Sequence, residues 1–167
     1  MTSSEERELL LRRAARLAAP RPTDGDADTA VVPVAQFPVG ETIYALPVTE
    51  LCAALPLRDV TPVPLAPAHV IGILRWEGRV ITAISLASLL GIRGWRRDPA
   101  VLLVVACGGR LVAVDSEVIP TFAMLPQAAL EGDQARRKGP VTEVVSAGGQ
   151  IVYLLDLGRA LTKGGPS

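Results

Sequence analysis

The sequence is short of the residues that most chemistry needs. It has a single histidine, His69, and two cysteines, Cys52 and Cys107, neither in a Cys-x-x-Cys pair. A Ser/His/Asp or Cys/His constellation has only His69 to draw on. That residue stands in PLAPAHVIG, between a proline-rich loop and a strand, where a loop histidine is the plainer reading. No second soft ligand lies near it, which argues against a metal centre. The cysteines read as reduced, buried thiols, because small domains of reducing compartments rarely use a disulfide. Aromatic residues make up only 4% of the chain, and no strand carries the several rings that base stacking requires. Trp76 and the run Arg93, Trp95, Arg96, Arg97 are the exceptions. An excess of charge is absent too: Lys+Arg and Asp+Glu stand at 17 each. Neither a nucleic acid nor an anionic membrane is implied by that balance. No apolar run reaches the ~18 residues that span a bilayer. The N-terminus is charged, without the apolar core of a secretion signal. A cytoplasmic location, with no membrane insertion, is the expectation.

What is present is apolar and β-like. Hydrophobic residues make up 49% and charged residues only 20%. At 167 residues the chain is long enough to bury a sizeable core as one domain or as two small subdomains. Strands are expected at 31–37, 42–48, 60–63, 70–74 and 80–84, then at 100–106, 110–115, 118–124, 141–146 and 150–155. Many short strands with Gly/Pro-rich turns suggest an all-β barrel or sandwich. Helical turns are expected after Ile84 and Leu155, and over 49–55. The polar stretch PQAALEGDQARRKGP, 126–140, reads as a mobile connection.

The run VIGILRWEGRVITAISLASLLG, 70–91, organises this text. It is a hairpin turning at Gly78 and feeding a short helix that Ser85 can cap and Gly91 can end. Placing Gly78 on Gly149 lays RVITAISLASLL over QIVYLLDLGRAL, with Ser85 on Asp156. The hairpins FPVGETIYALPV and VVACGGRLVAVD repeat at nearly the same offset, about 70 residues. Two similar β halves, about 31–99 and 100–167, therefore share the globule. Asp115 and Asp156 end strands, and capping of the turns that follow is a simpler task for them than acting as a catalytic carboxylate pair. Gly108-Gly109 and Gly148-Gly149 lie in tight hairpins, outside any phosphate-binding motif.

Ahead of the β text, residues 3–19 (SSEERELLLRRAARLAA) read as an N-terminal helix. Ser3 and Glu6 fit a capping box, and Leu10, Ala14, Leu17 and Ala18 recur at helical spacing opposite Arg7, Arg12, Arg13 and Arg16. Such a helix docks either on a partner or on its own barrel. Residues 20–30, with two prolines and three aspartates, form a linker.

Over residues 34–162 the chain resembles the CheW family of chemotaxis coupling proteins. The resemblance lies in FPVGETIYALPVTELCAAL, VTPVPLAPAHVIGILRWEGRVITAISLASLLG, LVAVDSEV and VYLLDLGRAL, taken in this order. It implies two intertwined SH3-like five-stranded β-barrels. It also implies a non-enzymatic adaptor without cofactor, whose partners are the cytoplasmic tip of methyl-accepting chemoreceptors and the regulatory domain of a CheA-type histidine kinase. Carried onto this chain, the partner-binding positions are Val48, Leu51, Ala53, Ala54, Arg75, Trp76, Glu77 and Gly78. Where the family has Asn-Leu-Arg-Gly, this chain has Arg75-Trp76-Glu77-Gly78. The family's Val-x-Glu-Ile glutamate is placed on Ala53, and its proline and aspartate fall on Thr82 and Ser85. A charge pair between the glutamate and arginine positions is thereby lost, and altered partner choice is expected. Trp76 is either a new anchor or a ring folded back over the barrel. The alternative from another class is a small-barrel nucleic-acid-binding protein, whose binding would collapse with salt.

Overall fold

The computed structural model describes residues 30–92, 99–131, 139–146 and 148–163. The helix expected over 3–19, and the linker up to residue 29, lie outside them. Ten strands are described: β1 (Val31–Val39), β2 (Thr42–Pro47), β3 (Leu51–Pro56), β4 (Val70–Trp76), β5 (Arg79–Ile84), β6 (Val101–Cys107), β7 (Arg110–Ser116), β8 (Thr121–Pro126), β9 (Val141–Val145) and β10 (Ile151–Leu155). Three short helices, α1 (Leu86–Leu89), α2 (Gln127–Glu131) and α3 (Leu157–Lys163), follow β5, β8 and β10. α2 occupies the start of the stretch expected to be a mobile connection, of which 132–138 lie outside the described residues.

The strands form two five-stranded sheets, ordered β8-β1-β2-β10-β9 and β3-β6-β7-β5-β4. Shifting each strand by one repeat turns one order into the other. The hairpin β1–β2 takes the place of β6–β7, and β8, β9 and β10 take the places of β3, β4 and β5. Each sheet therefore joins the opening hairpin of one repeat to the last three strands of the other. Segments 31–99 and 100–167 are units of sequence, while the packed units exchange strands between them. The joints are two parallel pairs, β2 with β10 and β5 with β7.

Alternation along the strands explains the apolar composition. In β2, Ala45 points into the first sheet's interior with Val34, Leu125, Val144 and Leu154. Its neighbours Tyr44 and Leu46 enter a central cluster with Leu103, Val105, Val114 and Leu155. In β6, Leu102 and Val104 fill the second sheet's interior, while Leu103 and Val105 face the central cluster. The middle strands are thus buried on both faces and read as near-continuous apolar runs. Strands at opposite edges of each sheet share one interior, Leu125 with Val144 in the first and Ala53 with Trp76 in the second. Each sheet curls into a barrel, and the central cluster glues the two together.

Two expected elements differ. Residues 60–63 form no strand: Thr61 makes an isolated bridge to Ile73, and its backbone exchanges two 2.8 Å hydrogen bonds with that residue. Pro62 and Pro64 have no N–H to extend the ladder. This bridge crosses the neighbouring strand so closely that a Cβ on Gly72 would meet the Thr61 carbonyl oxygen. Residues 49–55, expected to be helical, are a 3-10 turn (Val48–Glu50) followed by β3. A bulge between Leu51 and Ala53 sends Cys52 and Ala53 toward the same cluster, which breaks the period of two that marks a strand.

The repeat is most visible where strands become helices. The Ser85 hydroxyl accepts from the Ser88 N–H at 3.4 Å, and the Asp156 carboxylate accepts from the Arg159 N–H at 3.0 Å. Both caps also donate a backbone hydrogen bond of 2.7 Å, Ser85 to His69 and Asp156 to Pro140. Gly91, at φ 71°, ends α1 with the N–H of Ile92 on the Ala87 carbonyl. Asp115 takes a partner that was not expected: its carboxylate, only 1% exposed, accepts the Leu86 N–H at 2.9 Å across the β5/β7 joint. Asp115→Ala leaves that buried donor unmet, and a loss of about 2 kcal/mol in urea unfolding is expected.

Candidate functional site

The β4–β5 hairpin closes with Trp76 opposite Arg79, leaving Glu77 and Gly78 as a two-residue turn. Their φ values of 46° and 75° are both positive, as a type I′ turn requires. Gly78 adopts that conformation without strain, whereas Glu77 carries a Cβ into the left-handed region. Arg75, Glu77 and Gly78 are exposed, and Val80 beside them is 63% exposed.

Trp76 points the other way. Its ring is 8% exposed and packs with Leu74, Ile81 and Leu102 inside the second barrel. Its Nε1 is buried without a hydrogen-bond partner. Of the two readings of this residue, the ring folded back is the one the geometry supports. Ala53, 9% exposed, lies in the same cluster. Leu51 and Ala54 are half-buried against the central cluster, and Val48 is half-buried in the 3-10 turn. The eight positions thus divide into a barrel interior (Ala53, Trp76), a solvent-facing turn (Arg75, Glu77, Gly78) and a half-buried strip (Val48, Leu51, Ala54).

Around the central cluster sit groups that the sequence keeps far apart. Burial pushes the Glu50 carboxyl up, and the nearby Asp156 carboxylate adds to it. The Cys107 thiol is raised by burial and then by Glu50 and Asp156, with Arg110 opposing. Both cysteines are unbonded thiols, Cys107 buried and Cys52 partly so. Between α1, α3 and the β2/β10 joint lies a groove of about 360 Å³, lined by Tyr44, Tyr153, Leu89, Leu90, Val141 and Ala160 among others. The two tyrosine rings are tilted by 44° with centroids 6.0 Å apart. Tyr44 is raised by burial and by Tyr153. Among the described residues, no group of three or more His, Cys, Asp or Glu side chains is placed to hold a metal ion.

A family model of the CheW-like domain matches residues 33–164, which takes in both sheets. The chain belongs to the CheW-like domain family. The fold agrees with that of the scaffolding protein TtCheW from Thermoanaerobacter tengcongensis. The likeness has a TM-score of 0.57 at 18% identity and covers 75% of this chain and 89% of that one. No curated protein matches the sequence.

Within this CheW-like domain Ala53, the position that the resemblance gives to the family's glutamate, is a buried residue of the second barrel. It carries no charge to set against Glu77. Sequence reasoning did not find the Tyr44/Tyr153 groove, because β2 and β10 meet only through the exchange of strands. That these are the chain's only two tyrosines was the one available hint.

Two outcomes follow. Glu77→Asn places Asn-Gly in the turn and is expected to raise stability by about 1 kcal/mol in chemical denaturation. A carboxyl held above its unfolded value costs more to ionise in the folded state, so that cost appears as pH rises through the raised value and vanishes below the ordinary carboxylate range. Glu50→Gln is therefore expected to raise Tm at pH 7, with the gain fading below about pH 4. A gain that stayed constant across this range would assign the effect to something other than ionisation.

Proposed function

We propose that this chain is a non-enzymatic adaptor that links chemoreceptors to a CheA-type histidine kinase on the cytoplasmic side of receptor arrays, and that its partner choice is altered. The observation that carries this reading is the CheW-like match across both exchanged barrels. The match to a protein described as scaffolding accords with it. No described helix is long and apolar enough to cross a membrane.

The binding surface is the exposed turn Arg75, Glu77 and Gly78 together with the half-buried strip Val48, Leu51 and Ala54. Ala53 and Trp76 support it from inside the barrel, and Trp76 acts by holding the hairpin rigid. Glu77 presents a negative charge where the family has arginine, which penalises a partner shaped for the positive charge and favours one with a basic counterpart. The nucleic-acid alternative gains nothing from the geometry, since Trp76 is buried rather than offered to a base.

Titration calorimetry against a CheA regulatory domain and a receptor cytoplasmic tip tests the reading. Binding to at least one of the two is expected, and Glu77→Arg is expected to change that affinity about tenfold, or 1.4 kcal/mol. Binding to both establishes a coupler, and binding to one a specialised adaptor. Binding to neither refutes the adaptor reading and leaves the fold alone.

A further inference from the structure

The groove between α1, α3 and the β2/β10 joint is a place where the central core is left partly uncovered. Leu89, Leu90, Val141, Tyr153 and Leu161 pack against the buried cluster yet are only partly buried themselves. Acidic groups border this region. Glu143 is exposed and sits opposite Tyr153 in the β9/β10 ladder. Asp156, whose side chain is 39% exposed and pairs with Arg159 at 3.5 Å, precedes the helix that contributes Ala160. Its carboxylate opposes ionisation of Glu50, which is raised chiefly by burial.

The chain supplies a matching segment. Residues 3–19 carry an apolar stripe of Leu10, Ala14, Leu17 and Ala18, with Arg7 in line with it, Arg13 on its flank, and Arg12 and Arg16 on the opposite side. A helix of this length is marginal in water and needs an apolar surface to pack on. It is tethered within reach. Tyr44 pairs with Phe37, so the groove lies six residues along β1 from Val31, about 20 Å. Residues 20–30 span up to ~36 Å when extended. The slack allows the path to curve round the edge of the barrel.

We propose that residues 3–19 dock in cis, as an amphipathic helix, in the Tyr44/Tyr153 groove. The leucine stripe covers the uncovered rim of the core, and Arg7 and Arg13, which lie beside the stripe, reach the acidic rim formed by Glu143 and Glu50. The groove is thus occupied by the chain's own N-terminal segment, and any other helix must displace that segment before it can bind there. This docking does not depend on the adaptor reading, because it rests on the groove and the tether alone.

Backbone amide NMR and hydrogen exchange on the full-length chain test it. The comparison is between the wild type and the double variant Leu10→Asp/Leu17→Asp, whose changes lie outside both barrels and leave their folding intact. Amide shifts of Leu89, Leu90, Val141, Tyr153 and Ala160 are expected to move in the variant. Exchange in residues 3–19 is expected to quicken about tenfold or more. The same loss of protection is expected from Leu89→Glu on the barrel side, with the slow exchange of the amides of β6 and β7 showing that the barrels remain folded. Shifts that stay put, or that map to another face, overturn the proposal. Shifts that fade on dilution also overturn it, by assigning the groove to a second copy of the chain.

Discussion

Two short parallel pairings, β2 against β10 and β5 against β7, hold this molecule together. Each spans only two or three residue pairs, yet each is the line along which a hairpin from one repeat meets the last strands of the other. Because the paired strands are buried on both faces, their side chains serve two cores at once. Ala113 fills a barrel while Val112 and Val114 fill the space between barrels. Asp115 completes the joint by meeting the first backbone N–H of α1 from the neighbouring strand. A change at any of these positions is felt on both sides of the seam, since close-packed side chains have little room to absorb it.

This arrangement also shapes the surface. Folding Trp76 inward makes the β4–β5 hairpin stiff, so the exposed Glu77-Gly78 turn is presented in a fixed orientation by a rigid base. The cost is an indole N–H buried without a partner, a penalty of about 1–3 kcal/mol set against the burial of a large ring. Charge rather than new apolar bulk therefore distinguishes the turn. The apolar surface available for docking lies instead at the uncovered rim beside Tyr153, on the other barrel.

Sequence patterns carried the local features well. Gly78 located its turn, Ser85 and Asp156 were legible as caps because both repeats need an oxygen at that point, and the offset of about 70 residues revealed the repeat. What escaped was whatever depends on distant pairing. The bulge at Leu51 and Ala53 disguised β3 as a helix. The partner of Asp115 and the meeting of Tyr44 with Tyr153 both follow from the exchange of strands, which leaves no mark in local periodicity. The inward turn of Trp76 is a choice between two faces of a strand, and composition alone does not make that choice.

The exchange gives the chain a direction in time. All five strands of the second sheet lie in one stretch, Leu51 to Ser116, whereas the first sheet needs β1 and β2 from the start of the β region and β8 to β10 from its end. During synthesis the second barrel's strands are complete while the β1–β2 hairpin still waits, with its apolar faces uncovered, for strands not yet made. The earliest hairpin to emerge is thus among the last to be enclosed, and the chain depends longest on whatever shields that hairpin at the ribosome.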